Sequence, residues 1–228
     1  MKNNKVKPAK TWQPSKKMLS ALHLSKAGLM GSDDEFARAF KILDMYPKRV
    51  TFFGSARDNE RDEPYRQAAT AIASMLAKDG YAIVSGGGHG IMAASNKGAY
   101  EAGGSSIGFN IKLPHEQKLN PYTTHNLAFH YFFTRKVMMT FFSHAYIYFP
   151  GGYGTLDELF EVMTMIQTKK MPPLRVILYG SDYWNGLDEF IKRHMLDTGL
   201  ISPGDENIYH ITDDINEAFR LITDANHN

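Results

Sequence analysis

The chain has 228 residues, 43% of them apolar, enough for one sizeable core or two small ones. Its 26 basic and 24 acidic side chains leave a net charge of +2, which is no electrostatic footprint for a nucleic acid, and none is expected as a partner. Cysteine is absent, so disulfides, thiol catalysis and cysteine-based metal sites are excluded; no apolar run approaches the roughly 18–20 residues of a membrane span; and MKNNKVKPAK lacks the apolar stretch of a secretory signal, so a cytoplasmic protein without membrane contact is expected.

Residues 1–14 are polar and lysine-rich, the composition of a mobile tail. Residues 15–46 read as helical with a break near Gly31-Ser32, and Ser32 or Asp33 is placed to cap DEFARAFKILDMY, where Phe36, Phe40 and Leu43 recur at helical spacing. This tail and helical extension (1–46) precede a domain spanning 47–228. That domain opens with a strand, RVTFF (49–53), and a helix over 65–80 whose Ala68, Ala69, Ile72 and Leu76 share a face and whose stop is Gly80. Next come the strand YAIVS (81–85), the turn GGGHG, the helix IMAASNKGAYEAG and the strand SSIGFNI (105–111). A loop with two prolines, KLPHEQKLNPYTTHN, leads to a strand over LAFHYFF (127–133) and a helix over TRKVMMTFFS. The strand AYIYF (145–149), the turn PGGYG and the helix TLDELFEVMTMIQTKK follow. The chain closes with the strand RVILYG, the helix YWNGLDEFIKRHML, the strand IYHI and the helix DINEAFRLIT. No internal repeat or low-complexity segment interrupts the series.

Short apolar strands alternating with helices imply βαβ units. The fold class is α/β, a doubly wound Rossmann-like parallel sheet of about six or seven strands with flanking helices. Ligands in such sheets sit beyond the carboxyl ends of the strands, and three of those ends carry glycine: FFGSAR, VSGGGHGIM and FPGGYGT. Amides at a following helix start favour an anion, so Gly151, Gly152, Gly154 and Thr155 read as a phosphate cradle, although any tight strand-to-helix turn favours glycine. The P-loop pattern is missing. GHGIMA (88–93) matches a dinucleotide fingerprint, but the next strand ends in Asn110 where an acid would take a ribose hydroxyl.

Thr155 and Glu158 fit a capping box, with Thr155 the helix cap and Glu158 reaching back to its amide. Against that role, a carboxylate beside a phosphate needs a cation. Arg135 and Lys136 open the preceding helix, where positive charge opposes the dipole unless the pair is a solvated surface feature. Asp157 is read as a dipole-compensating acid that points elsewhere. The nine histidines include no HExxH, and no metal site is expected. FHYFF and the methionines of EVMTMIQ read as core.

SGGGHGIM and PGGYGTLDE, with FFTRK between them, resemble the LONELY GUY (LOG) family over roughly residues 48–180. These are cytokinin riboside 5′-monophosphate phosphoribohydrolases, often labelled lysine decarboxylases. LPHEQKLNPY and FHYFFTRK look like a longer-loop bacterial branch, and the N-terminal extension departs from a minimal member. The resemblance implies cleavage of a nucleoside 5′-monophosphate to free base and ribose 5-phosphate, with Arg135 and Glu158 as the catalytic pair. It places the phosphate on Gly151, Gly152, Gly154 and Thr155, and Gly87, Gly88, Gly90 and Met92 on the opposite wall. Lys136, Ser55, Arg57 and Asn120 are further candidates for contact with the substrate. A homodimer or larger oligomer is implied, which suits the methionine- and phenylalanine-rich helices VMMTFF and EVMTMIQ. No cofactor is expected: decarboxylase chemistry needs a Schiff-base lysine for pyridoxal phosphate, and no Ser-x-His-Lys segment occurs. The alternative is a carrier of a phosphorylated cofactor such as molybdenum cofactor, which needs the cradle but not the Arg–Glu pair.

Overall fold

In the computed structural model, which describes residues 32–112 and 119–224, the apolar runs become one all-parallel, seven-stranded sheet. The described elements are α1 (Ser32–Leu43), β1 (Arg49–Phe53), α2 (Glu63–Lys78), β2 (Ala82–Ser85), α3 (Ile91–Glu101), β3 (Ser106–Ile111), β4 (His125–Phe129), α4 (Phe132–Thr140), β5 (Ala145–Tyr148), α5 (Tyr153–Gln167), β6 (Arg175–Tyr179), α6 (Ser181–Ile191), β7 (Tyr209–Thr212) and α7 (Ile215–Thr223). The tail expected over 1–14 and the helix expected over 15–31 lie outside the described residues, as does 113–118 of the two-proline loop.

The central strands β1, β2, β5 and β6 are buried along nearly their whole length because helices cover both faces, which is why their sequences run continuously apolar instead of alternating. One face packs Phe52, Ile72, Leu76 and Phe149; the other packs Phe109, Phe129, Tyr148 and Trp184. Each such side chain contributes about 1.5–3 kcal/mol when fully buried. On the first face α2 presents Ala68, Ala69, Ile72 and Leu76, all buried, and ends at Gly80 with φ +86°. On the second, α1 inserts Ala39 and Leu43 into the core shared with α4 and β4.

The strand order is β4-β3-β2-β1-β5-β6-β7. The chain winds outward from β1 to β4, then returns to lay β5 on the other side of β1, with Phe53 level with Tyr148. The loops after β1 and β5 therefore diverge at the switch point, where a doubly wound sheet opens its crevice.

Several expected boundaries move. Ser32 is already helical in α1 rather than a cap outside it. The strand expected over 127–133 ends at Phe129, and Phe132 and Phe133 begin α4 with 57% and 42% of their surface exposed, so FHYFF is not all core. Aromatic residues favour strands only where a pleated, half-buried surface awaits them, and β4 is an edge strand whose sheet ends there. Arg135 and Lys136 consequently lie one turn inside α4. Met138 and Met139, expected at a subunit interface, are buried at 1% and 0% in the chain's own core.

Candidate active site

The crevice holds a cleft of about 330 Å³ walled by the loop after β1, the first turn of α5 and the inner face of α4. Ser55, Arg57, Met92, Arg135, Lys136, Gly152, Gly154, Thr155 and Glu158 all line it. So does Asp157, which was expected to point elsewhere.

The floor is the start of α5. The helix begins at Tyr153 with Gly152 as its N-cap, two residues before the expected start. The amides of Thr155 and Leu156 both donate to the Gly152 carbonyl, at 3.0 and 3.2 Å. Thr155 is therefore not the cap, and the capping box does not form: the glycines complete the turn before Thr155 is reached. Tyr153 and Gly154 open the helix, where no intrahelical carbonyl reaches their amides. Gly152 has an ordinary φ of −93°, and a Cβ added there or at Gly154 would meet nothing within 4 Å. Neither conformation nor packing requires glycine at these two positions. Their missing side chains leave open the space where a ligand would meet the helix start.

Freed from the cap, Glu158 sits one turn into α5, with 7% of its surface exposed. Its Oε1 is 3.7 Å from Arg135 Nη1, an ion pair too long for a direct hydrogen bond, and its buried Oε2 has no hydrogen-bond partner. Burial pushes its carboxyl up to about 7, against the opposing pull of Arg135 and then Lys136. Arg135 is half-buried, and its desolvation depresses the guanidinium while the Glu158 charge works the other way. Its Nε donates to the Phe109 carbonyl at 2.7 Å, and Gly86 makes room for it, since a Cβ there would overlap the guanidinium. Lys136 stands at the rim. Its Nζ is 2.8 Å from Asp157 Oδ2 and 3.2 Å from Glu161 Oε2. Partial burial works against its charge, but Asp157 and Glu161 more than offset this and hold the ammonium above its ordinary range.

The turn after β2 behaves differently. Gly87, Gly88, Gly90 and Asn120, expected on the opposite wall, are not among the residues lining the cleft. Asn120 is buried and binds the Gly87 carbonyl through its amide (2.9 Å) and the Gly88 carbonyl through Nδ2 (3.0 Å), tying the two-proline loop to the turn. The Gly90 amide donates to Asp58 (3.2 Å) and the Ile91 amide to the Ser55 carbonyl (3.0 Å), so the protein itself occupies the start of α3. Gly151 lies behind the cradle, where its carbonyl accepts the Tyr183 hydroxyl at 2.6 Å. Sequence reasoning missed Tyr183, Gly86, Phe132 and Met139. Of these Gly86, next to Gly87, and Phe132, within FFTRK, carried a signal. Among the described residues no group of three histidine, aspartate or glutamate side chains is arranged to hold a metal, and no helix is long and apolar enough to cross a membrane.

Sheet order and cleft position define a Rossmann-like α/β protein with a cleft at the topological switch point. The family model described as "possible lysine decarboxylase" matches residues 92–222. The chain belongs to that family, the LONELY GUY group. It is 32% identical over 164 residues to a cytokinin riboside 5′-monophosphate phosphoribohydrolase of Arabidopsis thaliana, covering 71% of each chain. To the Mycobacterium tuberculosis protein of the same description it is 31% identical over 158 residues, covering 68% of this chain and 83% of that one. The molybdenum cofactor carrier protein of Chlamydomonas reinhardtii shares the fold, with a TM-score of 0.58 at 20% identity over 78% of this chain and 96% of that one.

Proposed function

We propose that the protein hydrolyses the N-glycosidic bond of a nucleoside 5′-monophosphate, AMP or a cytokinin riboside monophosphate, releasing the base and ribose 5-phosphate. The observation that carries this reading is the buried Glu158 Oε2 with no partner, on the same helix as the open glycine turn and opposite the half-buried Arg135. A carboxylate in that position is poised for what the substrate brings. The 5′-phosphate lies on the Gly152–Thr155 turn, and the anomeric carbon faces Glu158. As the bond from C1′ to the base nitrogen breaks, positive charge grows on the ribose, and ionised Glu158 stabilises it. Water then forms the new C1′–O bond. Its proton passes through Glu158, whose carboxyl near 7 suits both acceptance and release, and the departing base nitrogen gains a proton. Arg135 balances the carboxylate and orients the ribose. Lys136 adds positive potential at the rim, while Ser55, Arg57 and Met92 contact the ribose or the base.

Pyridoxal phosphate, which the family description suggests, does not fit. Lys136 is the lysine lining the cleft, and its ammonium is held charged in two ion pairs, the opposite of what a Schiff-base lysine requires. Incubation with AMP followed by chromatography tests the proposal: adenine and ribose 5-phosphate should appear. Nucleotides that bind and return intact would favour a carrier.

The exposed Phe132 and Phe133 beside the cleft support a homodimer with an apolar interface there. Light scattering at micromolar concentration should give twice the chain mass; a monomer mass refutes it.

A further inference from the structure

The turn leading into the helix that carries Arg135 is held from far away in the chain. Tyr131 at its N-cap makes no side-chain capping bond, and its first turn contains no acid. The carboxylate comes instead from Glu35 on α1, 95 residues before His130 and only 4% exposed. Glu35 Oε1 accepts the His130 backbone amide at 2.6 Å and lies 3.0 Å from His130 Nδ1. Its Oε2 accepts the hydroxyl of Thr134, a fully buried residue, at 2.6 Å. Thr134 directly precedes Arg135.

A buried carboxylate is costly unless it is hydrogen-bonded, and a helix whose only task was packing would bury an apolar side chain here. Placed beside the start of α4, the charge complements the helix dipole, and its bonds to the His130 amide and the Thr134 hydroxyl hold the turn that leads into the helix. Arg135 is thus fixed twice: its guanidinium is held by the Phe109 carbonyl, and its backbone by the Glu35-bound turn. The segment matched by the family model begins at residue 92, so α1 brings this contact from outside it.

We propose that Glu35 is a positioning residue for Arg135, its carboxylate reaching from α1 to fix the turn from His130 to Thr134 so that the guanidinium stays at the cleft. The kinetic consequence rests on the hydrolase reading above; the structural claim does not.

The test is Glu35→Gln in the full-length protein, with two readouts. The first is exchange of the Arg135 Nε proton, followed by NMR; loss of this hold on the turn should speed it about tenfold. The second is AMP turnover, where kcat should fall about tenfold with KM within twofold, and where the loss should vanish if Arg135 is already lysine. Unchanged Nε exchange overturns the inference. So does a kcat loss of equal size in the Arg135→Lys background, because Glu35 would then act independently of Arg135. A wild-type protein that cleaves no nucleotide sinks the hydrolase reading, and the exchange measurement still decides the role of Glu35. If Glu35→Gln does not fold, Thr134→Val removes a single hydroxyl and is judged by the same readouts.

Discussion

Two glycine turns end neighbouring regions of the sheet, and they do opposite things. In the turn after β2, Gly90 has φ +62°, a Cβ there would collide with the Ser55 carbonyl, and the α3 start is bonded to Asp58 and Ser55. In the turn after β5, Gly152 has an ordinary φ, an added Cβ would meet empty space, and the α5 start faces the cleft. The first turn uses glycine so that the protein can pack against itself. The second uses it to keep protein away. Composition alone does not distinguish them; what fills the missing Cβ position does.

The comparison is broken most sharply by exchanging the consequences. Gly152→Asp should abolish AMP turnover, since it fills the open turn and puts a negative charge where the proposed function places the phosphate. Stability should hold or rise by a few tenths of a kcal/mol, because aspartate is a favoured N-cap. Gly90→Ala should do the reverse at the other turn, lowering unfolding stability by about 2–4 kcal/mol through strain and collision. Thermal melts alongside AMP assays check both. A Gly152→Asp protein that melts much earlier would mean that this glycine, too, serves packing.

Glu158→Gln should lower kcat about 100-fold or more. It also carries a signature in stability. Burial raises the Glu158 carboxyl from its ordinary 4.5 to about 7, so the folded state holds this proton more tightly than the unfolded chain. The stability it contributes is fully present below about 4.5 and is lost as pH rises through about 7, on the order of 3 kcal/mol for a buried group. Between pH 5 and 8 the wild type should therefore lose more stability than Glu158→Gln. Wild-type kcat/KM should climb with pH up to about 7, because the ionised form is the one required. Parallel melting curves for the two proteins would contradict the assignment.

Tyr183→Phe is the finest adjustment. Removing the hydroxyl from the Gly151 carbonyl loosens the back of the cradle without touching the cleft. KM for AMP should rise about threefold to tenfold, the worth of one neutral hydrogen bond, with kcat little changed. Equal KM values would show that the turn is fixed by α5 alone.

Much of this was legible in the chain itself. Periodicity placed the described strands and helices because each βα unit buries a continuous apolar run, and the PGGYGTLDE signature with its upstream Arg135 located the cleft. What the sequence hid was set by distant contacts. The start of α4 looked like strand because Glu35, which holds the turn leading into it, lies 95 residues before His130. The start of α5 looked like a Thr155 box because nothing local reveals that Gly152 already closes the turn. That the turn after β2 packs on Asp58, Ser55 and Asn120 was hidden too, because a glycine turn reads the same whether a ligand or a loop meets it.

The measurement that bears most directly on the phosphate cradle is kcat/KM for AMP against adenosine under identical conditions. Two or three charge-assisted hydrogen bonds at the α5 start, each worth about 1.5–3 kcal/mol, predict that adenosine is poorer by roughly two to six orders of magnitude. Part of that binding energy holds the anomeric carbon against Glu158, so kcat should fall as well as KM rise. Adenosine cleaved within about tenfold of AMP would contradict the account, leaving the open turn without its phosphate and the cleft a nucleoside pocket.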